Sequence, residues 1–328
     1  MHAPAYASIR QLRHASASTR GLVNFILLCA SPLPPPSPPA ASIQTPPPSP
    51  SPSPPLPPQP PLPAVLDALP STELPKHLAV IMDGNARWAR RRNLPSAMGH
   101  EAGVSSLRSL ITSCASLAAI ETLTVYAFSA ENWGRPASEV NALLGLVERS
   151  LEAEAETLHG NGVRLTFIGD LASLPAGLRA LADRLEKREP PRHPRLILCV
   201  ALSYGGRQSV ARAARALAER VSRGELEPAA IDEQALANEL RRTAGGPPTD
   251  PDLVLRTGGQ QRLSNFLTYE CAYAELRTTE CLWPDFDVNE LAAALEDYGG
   301  WPQPHDGREA VGRPMPGRCA QCTPGSVG

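Results

Sequence analysis

The chain of 328 residues carries 31 Lys+Arg against 33 Asp+Glu, is 42% apolar and contains 37 prolines. Eighteen of those prolines fall between Pro32 and Pro63, where no core can form, so the foldable part lies near residues 75–300, the length of one large domain. The first 66 residues hold three arginines and no acid, which leaves 28 basic and 33 acidic side chains for the rest; so mildly acidic a body argues against general nucleic-acid binding, and the composition excludes a disulfide scaffold, a collagen-like chain and a polytopic membrane protein.

In chain order, the Ala-, Ser- and Arg-rich start without acids reads as an organellar transit peptide over residues 1–31, with a secretory signal or an unprocessed tail as alternatives. Its apolar run, residues 22–30, is too short to span a bilayer, which takes about 20 residues. Residues 32–70 form a Pro/Ser-rich linker, expected to be extended and solvated. A strand over 77–82 ends at Asp83, and a helix-compatible stretch starts at Gly84. A helix over 102–119, a strand over 122–128, a long amphipathic helix over 137–158 and a strand over 163–168 follow. Next come a strand over 195–202, helices over 208–223 and 231–242, a strand over 252–255, a helix over 266–271, a strand over 274–278 and a last helix over 289–297. Periodicity then vanishes, and residues 299–328 read as a disordered tail whose Cys319-x-x-Cys322 spacing, without a second pair, is taken as incidental.

Continuous apolar strands alternating with helices predict an α/β fold. The expectation is one domain, residues 71–298, with a mainly parallel central sheet flanked by helices. In such sheets ligands bind beyond the carboxyl ends of the strands. Asp83-Gly84-Asn85-Ala86-Arg87-Trp88 stands at such an end, where a helix start offers free N–H groups to an anion and Arg87 adds a charged donor. Asp83 makes sense beside a diphosphate if Mg²⁺ bridges the two; the plainer reading is a helix-capping Asp with a surface Arg partner. Ser129-Ala130-Glu131-Asn132-Trp133-Gly134-Arg135 follows the next strand, and a polar turn is its plainer reading. A third cluster, Arg256 to Asn265, offers Arg256, Arg262, two glycines and Ser264 at an expected helix start, a second anion site. Two anion sites, one with a metal-suited carboxylate, imply a reaction between two phosphorylated substrates, and no nucleotide-binding fingerprint is present. Ala127, Leu143, Leu144 and Val147 lie between the clusters and line either an ordinary core or an apolar tunnel.

Six ordered motifs then carry a resemblance. His77 to Trp88, Gly99-His100-Glu-Ala-Gly103, Phe128-Ser-Ala-Glu-Asn-Trp133 with Arg135-Pro136, Tyr204-Gly-Gly-Arg207, Arg256-Thr-Gly-Gly259 with Arg262-Leu-Ser-Asn-Phe266, and Leu282-Trp-Pro-Asp-Phe286 resemble the successive signatures of cis-prenyltransferases. These include undecaprenyl and dehydrodolichyl diphosphate synthases, and the chain resembles plastid-targeted members. The resemblance implies head-to-tail condensation of isopentenyl diphosphate onto an allylic diphosphate with new Z double bonds. It also implies Mg²⁺ as cofactor, bound by Asp83, with Glu275 as a second metal carboxylate. Gly84, Asn85, Ala86, Arg87 and His100 would serve the allylic diphosphate; Arg256, Arg262, Leu263 and Ser264 would serve isopentenyl diphosphate. Asn132, with Ser129 nearby, would assist proton removal, and Trp88, Ala130, Glu131, Trp133 and Arg135 would shape the substrate loop.

The chain departs from the family at Ser96, where many members carry an Arg, at Ala86 for a common Gly and at Gln260 for a common Glu. It also lacks, after Asp297-Tyr298-Gly299-Gly300, the basic Arg-x-Gly ending of homodimeric members. The expected partners are therefore the two diphosphates and either a second copy or an accessory subunit. Peripheral membrane contact through the apolar product is also expected, and nucleic acid is not. An accessory role for this chain is the alternative reading, countered by its retained Asp83 and Arg87. Lack of an insertion between Arg135 and Asp170 favours short or medium products, and the expected location is the plastid, with the cytoplasm or endoplasmic reticulum surface as alternatives.

Overall fold

The computed structural model describes residues 64–69, 74–243 and 249–300. The expected transit peptide, most of the linker and residues 301–328 with Cys319 and Cys322 lie outside the described residues.

Six strands form one sheet, β1 (His77–Ile81), β2 (Thr122–Ser129), β3 (Val163–Ile168), β4 (Leu196–Tyr204), β5 (Leu253–Arg256) and β6 (Glu275–Thr278). Their order is β3-β4-β2-β1-β5-β6, and every pair is parallel. The inner strands are buried on both faces, which is why they read as unbroken apolar runs: all five residues of β1 and all four of β5 are buried.

Helices cover the sheet: α1 (Ala64–Asp67), α2 (Asn85–Arg91), α3 (Ser96–Ser116), α4 (Ala137–Gly160), α5 (Ala176–Glu186), α6 (Gly206–Ser222), α7 (Glu233–Thr243) and α8 (Val288–Gly299). The larger core joins one face of the strands (Leu78, Val80, Leu123, Val125, Leu253, Leu255) to apolar stripes of α3, α4, α5 and α8. A smaller core joins Ala79, Ile81, Cys199, Ala201 and Val254 on the other face to Phe266 and Leu267. Among the described residues no helix is long and apolar enough to cross a membrane.

Three expectations about elements change. The folded part begins earlier than residue 71, because α1 buries Leu66 in the larger core. Helix α5 stands where no element was expected; its Leu178, Leu181, Ala182 and Leu185 form a buried stripe at helical spacing. Residues 266–271 are turns, not a helix: Ser264, Asn265 and Leu267 have φ of 50°, 64° and 42°, which stops helical propagation, and the apolar run there is explained by burial of Phe266 and Leu267.

Helices α2 and α3 approach closely because Gly99 has no side chain; a Cβ there would stand 2.1 Å from the Asn85 carbonyl oxygen. This contact fixes the start of α2 relative to the sheet.

Candidate active site

The chain leaves β1 toward β2 but returns from β4 to β5 on the other side of β1, so a crevice opens at the carboxyl end of β1. The register sets Ile81 opposite Arg256, and Asp83 follows two residues on. Thr257 locks the turn: its hydroxyl accepts from the Asp83 N–H (2.9 Å) and donates to the Asp83 carbonyl (2.7 Å).

Two arginines converge on the Asp83 carboxylate. Arg87 Nη2 donates to Oδ1 at 2.9 Å and Arg256 Nη2 to Oδ2 at 2.8 Å. Burial alone would raise this carboxyl's pKa, but the hydrogen bonds and charges of Arg256 and Arg87 outweigh it and hold the group below its ordinary range. Arg256 is 4% exposed and also donates to Ser264 Oγ (2.7 Å) and to the Arg262 carbonyl, while its Nε is buried without a protein acceptor. The two expected anion sites are thus one locus, joined through Asp83, and Ser264 takes part through its hydroxyl rather than as the start of a helix.

Gly84 (φ 116°) carries the chain from β1 into α2, and a Cβ there would lie 3.0 Å from Leu282. Asn85 donates to the Met82 carbonyl (3.3 Å), and Arg87 Nη1 donates to the Gly258 carbonyl (2.6 Å). Ala86 lines the cavity described below. Trp88 does not: its Nε1 donates to Asp285 (2.6 Å) and the Arg92 guanidinium lies over its ring at 4.1 Å, so it braces α2 against residues 283–285.

The second cluster is a short 3₁₀ helix, Ala130–Gly134, closed by a capping box in which the Ser129 N–H donates to Asn132 Oδ1 at 3.0 Å. Asn132 and Arg135 face the cavity; Arg135 is paired with Glu139 at 2.8 Å. Trp133 stands on edge to Phe128 and donates to Ser203 Oγ (2.9 Å), and Ser129, Ala130 and Glu131 are outside the cavity wall. Glu131 accepts from Asn265 Nδ2 (2.7 Å), and the Asn265 amide oxygen accepts from the Arg207 N–H (2.9 Å). Arg207, from the Tyr204-Gly-Gly-Arg207 motif, therefore belongs to this rim through its backbone N–H. Arg262 is held by Gln260 at 2.5 Å, and Leu263 packs on the smaller core.

From Asp83 a cavity of about 320 Å³ runs between β2, β4, α3 and α4. Polar groups (Asp83, Arg87, His100, Asn132) stand at its mouth, and Ile111, Val125, Ala127, Leu143, Val147 and Leu158 are among its apolar walls. Ala127, Leu143 and Val147 line the cavity and also pack against the larger core, whereas Leu144 lies within that core and outside the cavity wall. His100 Nδ1 lies 2.9 Å from the Ser96 carbonyl. Burial pushes this imidazole below its ordinary pKa, the Ser96 contact pulls partly back, and Arg135 pushes down again.

Glu275 does not join Asp83. It is level with Leu253 and Leu78 at the amino end of the sheet, about 16 Å back along the strand direction. A parallel β6 puts its first residue at the end opposite the crevice, so a metal site shared by the two carboxylates is not formed within one chain. Among the described residues no cluster of three His, Cys, Asp or Glu side chains could hold a metal ion. The donor set at Asp83 nevertheless fits Mg²⁺, which is commonly held by one or two carboxylates plus substrate phosphate oxygens.

The Prenyltransf family model, described as "Putative undecaprenyl diphosphate synthase", matches residues 81–302. A ditrans,polycis-undecaprenyl-diphosphate synthase ((2E,6E)-farnesyl-diphosphate specific) of Xanthomonas axonopodis pv. citri is 47% identical over 232 residues, 70% of this chain and 88% of that protein. An isoprenyl transferase of Prochlorococcus marinus is 46% identical over 238 residues, 73% of this chain and 86% of that protein. The crystal structure of lavandulyl diphosphate synthase from Lavandula x intermedia in complex with dimethylallyl diphosphate superposes with a TM-score of 0.65 at 30% identity, covering 71% of this chain and 98% of that one.

Proposed function

Because the chain belongs to the undecaprenyl diphosphate synthase family of cis-prenyltransferases, and is thereby an enzyme of polyprenyl diphosphate synthesis, we propose that it condenses isopentenyl diphosphate with an allylic diphosphate in a Mg²⁺-dependent reaction that adds Z-configured units. One observation carries this reading: Arg87 and Arg256 converge on Asp83 at the mouth of an apolar cavity. Guanidinium groups suit phosphate oxygens, and an apolar cavity suits a hydrocarbon tail.

In the reaction the allylic C–O bond breaks and its electron pair leaves with inorganic diphosphate. The freed allylic carbon bonds to the terminal alkene carbon of the isopentenyl group, which loses a proton from the carbon on the far side of its double bond. The product retains the isopentenyl diphosphate group. Arg87 and the backbone from Gly84 to Arg87 hold the departing group, with donors already in place where charge develops. Arg256 supplies its charge to the other diphosphate from beneath Asp83, and Ser264 and Arg262 are tied to it. Mg²⁺ held through Asp83 would neutralise charge on the leaving diphosphate. Asn132, pinned by the Ser129 N–H, faces the cavity where the isopentenyl group must lie and orients it for proton loss. Apolar walls keep water from the electron-poor allylic carbon.

The test is mass spectrometry of products formed by the full-length protein from isopentenyl diphosphate and each of several allylic diphosphates, with Mg²⁺ or with a chelator. Prenyl diphosphates lengthened by five-carbon units only when Mg²⁺ is present support the reading; unchanged starters under every condition contradict it.

A further inference from the structure

Away from its mouth the cavity is lined almost wholly by carbon, with one charged interruption. Arg108 on α3 and Glu154 on α4 both line it and bond to each other, Arg108 Nη2 at 2.5 Å and Nε at 3.2 Å from the same Glu154 oxygen. The side chains are 55% and 27% exposed, so the pair forms the outer wall at this level, between the apolar interior and solvent. Arg108 is eight residues beyond His100, about 12 Å further along α3. Ile111 on α3 and Leu158 on α4 continue the apolar lining beyond it.

An exposed ion pair contributes little to stability, so tying two helices together is a weak account of it. Its place on the cavity wall is more telling. Resting on the proposed function, in which an apolar chain grows into this cavity, we propose that the Arg108–Glu154 pair is a stop that sets product length. Each added unit gains by leaving water for a carbon-lined wall. At the pair that gain ends, because the next unit must lie against two ionised groups and strip their water. Growth beyond this level is disfavoured without any steric block.

The experiment compares products of the full-length wild type, Glu154→Leu, Arg108→Leu/Glu154→Leu and the charge-swapped Arg108→Glu/Glu154→Arg, with one allylic starter and excess isopentenyl diphosphate. Circular dichroism checks that each variant is folded. The double leucine variant is expected to shift the main product by at least one five-carbon unit toward longer chains; Glu154→Leu, which leaves Arg108 ionised at the wall, and the swapped pair are expected to keep the wild-type length. If the double leucine variant does not fold, Arg108→Met/Glu154→Met takes its place. A double apolar variant of unchanged or shorter product length, or a swapped pair that lengthens it, overturns the proposal. A wild type that forms no lengthened product overturns the functional reading instead, and the stop falls with it.

Discussion

Asp83 and Arg256 are 173 residues apart in the chain and 2.8 Å apart in the fold, joined where β1 and β5 end side by side. The pair has a double role. It keeps a nearly buried guanidinium neutralised, and it holds a carboxylate at the mouth of the cavity where diphosphate and metal would meet.

The first consequence concerns Asp83. Asp83→Ala leaves Arg256 buried without its counter-ion and is expected to lower stability by about 1–3 kcal/mol, with turnover down by at least about 10²–10³. Asp83→Asn still accepts a hydrogen bond, so it is expected to recover much of the stability but not the turnover. Urea unfolding and isopentenyl incorporation on the same preparations separate the two effects; an Asp83→Asn enzyme of normal rate contradicts the assignment.

The same carboxylate predicts a stability profile in acid. Its pKa is lower folded than unfolded, so its contribution is complete above the unfolded value and is lost as pH falls through the folded one. Stability of the wild type relative to Asp83→Asn, measured by urea unfolding, is expected to be flat from neutrality down to about pH 4 and to fall below that. A difference that shrinks only as pH rises above neutrality contradicts the ion-pair account.

His100 makes a third prediction. Its pKa is depressed mainly by burial, so the ring is neutral in the free enzyme at neutral pH, and a bound diphosphate raises it again. Between the free and bound pKa values, binding must take up a proton, and affinity must weaken as pH rises. Calorimetry with inorganic diphosphate in two buffers of different ionisation enthalpy is expected to show uptake that His100→Gln removes. Equal uptake by both proteins contradicts a role for this ring.

Gly99 offers a test of how the fold positions the arginine. Gly99→Ala forces a Cβ against the Asn85 carbonyl at the start of α2. A destabilisation of about 1–3 kcal/mol is expected, together with weaker diphosphate binding, since α2 carries Arg87. Thermal unfolding and diphosphate titration check this; unchanged values for both contradict the α2–α3 packing.

Much of this architecture was legible because β1 and β4 are nearly continuous apolar runs, β2 and β3 are rich in apolar and β-branched residues, and Asp83 and Ser129 stand at the ends of such runs. Helix α5 has the same kind of local signal, a Leu178–Leu181–Leu185 stripe at helical spacing. Phe266 and Leu267 misled because a short apolar run looks the same in a helix and in a buried turn. The separation of Glu275 from Asp83 has a topological reason: the resemblance implies a metal role for Glu275, but strand direction sets it at the opposite end of the sheet within one chain, and no local pattern tells which end that is. The joining of two anion clusters through Asp83, and the Arg108–Glu154 bridge between α3 and α4, arise from register and helix packing over long separations, so no local pattern announces them.

The most direct measurement counts inorganic diphosphate released against isopentenyl units incorporated, on the full-length enzyme with Mg²⁺. The account predicts one diphosphate per unit added, and none when the allylic partner is left out. Diphosphate released from isopentenyl diphosphate alone, or released without chain growth, would contradict it.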